Sequence, residues 1–272
     1  MKPIKLVIAS SLTMTATDPA RAAECKLGTY GTLSVAMSDM RPTVTAQVNG
    51  KDTTFILDTG AFFGTMSQAT ASALGLKAEV APFELRGSGI GGSYDLKVAR
   101  VKSFGILDGA IPNLDFTVGG SDAGVPVIGA NLLMVGDLDL DLAQGKARLF
   151  KPRNCDKYAM AYWVKGGPYE VADLDPIRSP LEKQPRLKVL INGKPVRAML
   201  DTGAPTTVLT RSAAERAGID LAAPGVRESA AVRGFGKKAY ESWIARVDAF
   251  SIGTETIRNS RMQVMDGKMG GD

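Results

Sequence analysis

At 272 residues, with 44% apolar residues and a net charge of +5, the chain can form one large domain or two small ones, and its charge is too small for a dedicated nucleic-acid surface. It contains no histidine. That excludes Ser-His-Asp and Cys-His nucleophilic sites and any histidine-ligated zinc or iron centre, so catalysis would rest on carboxylates, lysine, tyrosine or hydroxyl groups.

Residues 1 to 23 place Lys2 and Lys5 before an apolar run from Leu6 to Met14, and Ala20-Arg21-Ala22 follows as a small-x-small cleavage pattern. This reads as a secretory signal peptide, and the expected location is periplasmic or secreted. The competing reading is a cytoplasmic N-terminus, because Ser and Thr interrupt the apolar run. Removal of Lys2, Lys5, Asp18 and Arg21 would leave a charge of +3. No other apolar run is long enough to span a bilayer, so stable membrane insertion is not expected. The only cysteines are Cys25 and Cys155. In an exported chain they most simply form one disulfide from the start of the mature chain to the end of its first half; in a cytosolic chain they would be unrelated thiols.

An internal repeat dominates the rest. Residues 44–76 align without gaps on 187–219, so that Asn49-Gly50-Lys51 meets Asn192-Gly193-Lys194 and Asp58-Thr59-Gly60-Ala61 meets Asp201-Thr202-Gly203-Ala204. With small gaps the register continues: 104–118 matches 250–264 at Phe104, Ile106, Ile111, Asn113 and Val118. In each copy alternating apolar residues (Val44, Ala46, Val48; Leu187, Val189, Ile191) predict a strand. Asn-Gly predicts a tight hairpin, and a second strand runs into Asp-Thr-Gly. A short helix follows, capped by Ser67 or Thr210 and closed by Gly75 or Gly218, and then further strands. The expected organisation is a signal peptide over 1–23, a first domain over 24–155, a linker over 156–183 and a second domain over 184–272. The linker is rich in Pro, Gly and charge, with Tyr162 and Trp163 packing it onto one of the domains.

Two stretches invite other readings. Gly87-Ser88-Gly89-Ile90-Gly91-Gly92 satisfies G-x-G-x-x-G, but a dinucleotide site needs a helix next, and Tyr94, Leu96 and Val98 alternate as in a strand. A flexible hairpin is expected, with a shorter counterpart at 233–238. Asp137, Asp139 and Asp141 alternate with Leu138, Leu140 and Leu142, which predicts a half-buried strand in place of a calcium loop. No metal or cofactor is expected.

The paired Ile-Leu-Asp-Thr-Gly-Ala and Met-Leu-Asp-Thr-Gly-Ala, with the glycine-rich hairpin and Val127-Ile128-Gly129, resemble the pepsin and retropepsin class of aspartic peptidases. They are most similar to exported bacterial proteins carrying two retropepsin-like domains. The resemblance implies an all-β fold of two tandem acid-protease β-barrels, each with one short helix, and an endopeptidase acting on peptides or unfolded proteins. Asp58 and Asp201 would be its catalytic pair, sharing one proton. Thr59 and Thr202 would join the two loops by their hydroxyls, while Gly60, Gly203, Ala61 and Ala204 would support the carboxylates. Gly89, Ile90, Gly91 and Gly92 would form a flap over the substrate.

In this class an apolar-apolar-Gly segment late in each domain passes beneath the aspartate loop. Val127-Ile128-Gly129 supplies it in the first copy, and the same offset puts its second occurrence at about 273 to 275, past Asp272. The expectation is a second domain truncated at its C-terminus and weakly active or inactive as it stands, or completed by another chain through strand exchange. Two alternatives remain beside the intramolecular pair: a homodimer using Asp58 from two chains, and a peptidase-like module that binds peptides without cleaving them.

Overall fold

The computed structural model describes residues 24–81, 87–119, 124–155, 158, 160–164, 167–179, 182–236 and 238–268. The expected signal peptide lies outside the described residues. Among the described residues the fold is all-β, with three short α-helices and two separate hydrophobic cores, one for each copy of the repeat.

In the first copy the strand Arg41–Val48 buries Val44, Ala46 and Val48 and turns through Asn49-Gly50 into Lys51–Leu57. Both turn residues have positive φ, 50° and 82°, the geometry for which Asn-Gly is suited. An eight-stranded sheet runs in the order Ala36–Ser38, Arg41–Val48, Lys51–Leu57, Val127–Ile128, Thr65–Met66, Gly109–Val118, Lys97–Ile106, Ala78–Val80. Arg41–Val48 also pairs with Lys97–Ile106, which closes the sheet on itself. Phe55, Phe104 and Phe116 fill the interior with ring centroids 5.2 to 5.8 Å apart. Truncating such a ring to alanine costs about 3–5 kcal/mol.

A three-stranded sheet, Lys26–Ser34, Lys146–Arg153 and Asp137–Asp141, lies beside this barrel. The Asp137–Asp141 stretch is the expected strand: Arg148 reaches Asp139 at 2.6 Å and Asp141 at 3.4 Å, so these carboxylates serve an ion-pair cluster. The Tyr162 hydroxyl donates to the same Asp139 carboxylate, and its ring meets Phe150 edge-on at 5.2 Å. The connector is thereby packed onto the first unit, through Tyr162; Trp163 stacks on Tyr162 and is otherwise exposed. Cys25 and Cys155 form a disulfide that ties the start of this sheet to its end.

The second copy repeats the plan in a six-stranded sheet: Lys194–Met199, Arg186–Ile191, Tyr240–Ile252, Glu255–Met265 and Val208–Thr210 in order, with Arg227–Val232 paired to Tyr240–Ile252. Its interior faces carry Leu187, Val189 and Ile191, as the alternation predicts. Both helices keep their caps: the Ser67 hydroxyl accepts from Thr70 N–H, and the Thr210 hydroxyl from Ala213 N–H.

One feature departs from the expected plan. The first copy has a second short helix, Ala130–Leu133, directly after Gly129, so one helix per domain is too few there. Among the described residues, the second copy has no counterpart of the Val127–Ile128 strand or of the Ala130–Leu133 helix.

Candidate active site

Each aspartate follows the end of a strand, directly after Leu57 in the first copy and with Leu200 between Met199 and Asp201 in the second. The Lys51–Leu57 strand ends in Asp58, whose N–H donates to the Ile128 carbonyl at 3.0 Å. The Val127–Ile128 strand runs parallel to Ile56–Leu57 at this point, so the apolar-apolar-Gly segment supports the first aspartate loop from below.

The two loops are joined by a crossed set of hydrogen bonds. Thr59 N–H donates to the Thr202 hydroxyl and Thr202 N–H to the Thr59 hydroxyl, each at 3.1 Å. The Thr59 hydroxyl donates to the Leu200 carbonyl at 2.5 Å, and the Thr202 hydroxyl to the Leu57 carbonyl at 2.6 Å. The arrangement is nearly two-fold symmetric, and Thr59 is fully enclosed. The carbonyl partners, Leu57 and Leu200, carry no sequence signal beyond their place before each aspartate.

This joint brings Asp58 and Asp201 side by side. A methyl group added to Gly60 would fall on the Asp201 carboxyl group, and one added to Gly203 would fall on that of Asp58. Only glycine fits at either position. Each carboxylate is held by its own loop: Asp58 Oδ1 accepts from Gly60 N–H at 2.9 Å and Ala61 N–H at 2.8 Å, while Asp201 Oδ1 accepts from Gly203 N–H at 2.9 Å. Ala204 differs from Ala61, since its N–H turns to the main-chain oxygen of Asp201 at 3.4 Å.

Asp58 is buried and Asp201 partly exposed. Burial first, and then the charge of Asp201 beside it, push the Asp58 carboxyl up to about 7, against the backbone donors of Ala61 and Gly60. A carboxyl group so placed holds a proton through the acidic range. With an adjacent carboxylate to accept one, the pair can do acid and base work at the same time.

The glycine-rich stretch is a hairpin of Gly87–Gly89 and Gly92–Tyr94, with Ile90 and Gly91 at its tip. This is the expected hairpin, and the helix that a dinucleotide site needs does not follow it. The tip meets the corresponding loop of the second copy: Gly236 N–H donates to the Ile90 carbonyl and Lys238 N–H to the Gly91 carbonyl, both at 3.0 Å. Any side chain on Gly236 would strike the Gly91 backbone. The sequence marks 233–238 as a shorter version of the hairpin without indicating that the two meet. Among the described residues no group of three or more Cys, Asp and Glu side chains could hold a metal ion.

The chain matches the family model for aspartyl proteases over residues 44–132 and 187–272, one match on each copy of the repeat. Among solved structures it is similar to a retropepsin-like aspartic protease from Rickettsia conorii at 20% identity, over 47% of this chain and 95% of that one, with a TM-score of 0.34. It is also similar to the EIAV protease in complex with an inhibitor, at 22% identity over 35% of this chain and 86% of that one, with a TM-score of 0.30. Among curated proteins none matches. Since the two matched regions together span more than half of the sequence and each contains one Asp-Thr-Gly loop, the chain belongs to the aspartyl protease family.

Proposed function

We propose that the protein is an exported aspartic endopeptidase that hydrolyses peptide bonds by water activation between Asp58 and Asp201 of one chain. The observation that carries this reading is the crossed threonine joint, which sets two carboxyl groups together and leaves Asp58 buried beside a second charge. The functional units are taken as 24–155 and 184–272, with 156–183 connecting them. The Cys25–Cys155 disulfide supports a location in an oxidising compartment, periplasmic or secreted.

In this mechanism Asp58 holds the shared proton and Asp201 accepts one from a water molecule between them. The water oxygen bonds to the scissile carbonyl carbon as Asp58 gives its proton to the carbonyl oxygen, forming a neutral tetrahedral diol. Proton transfer to the amide nitrogen then breaks the C–N bond, and the pair regains its single proton. The hairpin tip at Ile90 and Gly91 closes over an extended peptide, and the 233–238 loop holds it down. The juxtaposition of Asp58 and Asp201 within one chain favours this pairing over a homodimer that would place two copies of Asp58 together.

The test is cleavage of an unfolded protein substrate across pH 3 to 9, with and without a statine-type inhibitor that mimics the tetrahedral diol. The reading expects cleavage that the inhibitor stops and that declines as pH rises past about 7, where Asp58 loses its proton. Stoichiometric peptide binding with no product at any pH would establish the binding-module alternative.

A further inference from the structure

The two copies of the repeat carry different charges at matching places on one exposed sheet face. In the first, Glu79 stands opposite Val98 and Arg100 opposite Asp115, on the strands Ala78–Val80, Lys97–Ile106 and Gly109–Val118. The Arg100 guanidinium donates from Nε and Nη2 to the Asp115 carboxylate, both at 2.7 Å. Asp115 first, and then the charge of Glu79, strengthen the hold of Arg100 on its proton, while Glu79 also pairs with Lys77. Acid and base alternate across this face and neutralise one another.

In the second copy the three charged positions are all arginine. Arg227 stands opposite Ile244 and Arg246 opposite Arg261, in the register that Glu79, Val98, Arg100 and Asp115 have in the first. All three arginines are exposed. Like charges directly opposite one another destabilise a sheet, a cost that a bound anion would remove. Arg246 donates from Nε to Asp248 at 3.0 Å and from Nη2 to the Asn259 side-chain oxygen at 2.9 Å, so Asp248 offsets one charge of the three. Among the described residues Arg227 and Arg261 have no hydrogen bond or ion pair. The imbalance extends to the units as wholes: residues 184–272 hold 14 Lys and Arg against 9 Asp and Glu, and residues 24–155 hold 12 against 13. The face also borders the catalytic loop. Gln263 stands opposite Ile244, one row from the arginine pair, and accepts from the hydroxyl of Thr206, five residues beyond Asp201.

We infer that Arg227, Arg246 and Arg261 form an exosite that holds an acidic segment of the protein substrate outside the catalytic cleft; the substrate role rests on the peptidase reading above. Planar guanidinium groups bind carboxylates through paired hydrogen bonds. Diagonal positions on neighbouring strands lie about 7–8 Å apart, and alternate side chains of an extended peptide repeat at about 7 Å. A segment with acidic residues at alternate positions, crossing the strands, therefore sets successive carboxylates on Arg227 and Arg246, with Arg261 beside the second. A polypeptide fits this row better than a lipid surface does, because Ile244 between the arginines is half-buried and gives no projecting apolar anchor.

The test titrates a fluorescent peptide of alternating Glu and Ser, and its Gln-Ser analogue, into the Asp58→Asn chain, which by the peptidase reading cannot consume either. Saturable binding of the Glu peptide is expected at neutral pH, about tenfold or more tighter than that of the Gln peptide, and lost at high salt. Arg261→Asp would give the second unit the ion pair of the first, so it should melt no earlier than its parent yet weaken binding by about tenfold or more. In the chain with both aspartates, joining the Glu-Ser stretch to a cleavable peptide should lower KM severalfold with kcat unchanged, and Arg261→Asp should remove that advantage. The inference is overturned by equal affinity for the two peptides, by binding indifferent to Arg261→Asp, by an active enzyme that ignores the acidic stretch, or by phosphatidylglycerol vesicles that bind the chain and displace the peptide, which would identify a lipid surface as the occupant. A chain that binds the Glu peptide through these arginines and cleaves nothing would overturn the peptidase reading and leave the anion-binding face standing.

Discussion

Asp58 is a charge at the end of an apolar strand, and its burial has a consequence for stability that can be measured apart from activity. The folded chain holds the Asp58 proton up to about 7, whereas an unfolded aspartate releases it near 3.8. Between those values the native state binds the proton more tightly. The contribution of Asp58 to stability is therefore full below about pH 4 and is lost as pH rises toward 7, on the order of a few kcal/mol in all. Thermal melts from pH 4 to 8 should show Asp58→Asn gaining on the wild type as pH rises. The threonines are tested separately. Thr59→Val removes the hydroxyl's hydrogen bonds and leaves Thr202 N–H and the Leu200 carbonyl without their partner, which should cost about 1–3 kcal/mol in urea denaturation. The pairing of the two aspartates is legible in the sequence because the motif occurs twice at matching positions. Their inequality is not, since both loops read Asp-Thr-Gly-Ala. It comes first from burial, since Asp58 is enclosed and Asp201 partly exposed.

At the scale of elements, hairpins and caps follow from local chemistry, and the sequence therefore displays them. Asn49-Gly50, Asn192-Gly193, Ser67 and Thr210 all take the conformations their residue types predict. Asn113 and Asn259 are instructive in a different way, because their repetition is visible but its cause is not. Both have positive φ, 53° and 54°, and pairing skips each of them: Pro112 faces Ser103 and Leu114 faces Val101. The same skip recurs between Arg258 and Ser260, with one residue passed over on each strand and the register unchanged, so each asparagine interrupts the pairing without shifting it. The contact between the hairpin tip and the 233–238 loop was also beyond the sequence, since it depends on how the two units face each other. It yields a prediction: Gly236→Ala should push the tip away, raising KM severalfold with a smaller change in kcat in steady-state assays, because substrate enclosure is weakened while the carboxylates stay in place.

At the scale of the whole molecule, the duplication provides two carboxylates in one chain, and the joint between the copies is made at the site itself. The units are otherwise unequal. The first has three packed phenylalanines, and a disulfide bridges positions 130 residues apart; in the second, Ala198 and Met262 stand where the first has Phe55 and Phe116. Reduction of Cys25–Cys155 should lower the stability of the first unit by about 2–5 kcal/mol, seen as an earlier denaturation midpoint with reductant than without. Among the described residues the second unit has no counterpart of Val127–Ile128 or of Ala130–Leu133, and the effect of this on burial, with Leu57 enclosed and Leu200 exposed, appears only when the two folded copies are compared. The central claim is that one chain supplies both carboxylates, and it is tested most directly by hydrolysis of a fluorogenic peptide by Asp58→Asn and Asp201→Asn, each alone and then mixed. The account predicts that each variant loses essentially all activity and that mixing restores none, with both proteins folded by circular dichroism. Retention of activity by Asp201→Asn, or its recovery on mixing, would contradict it.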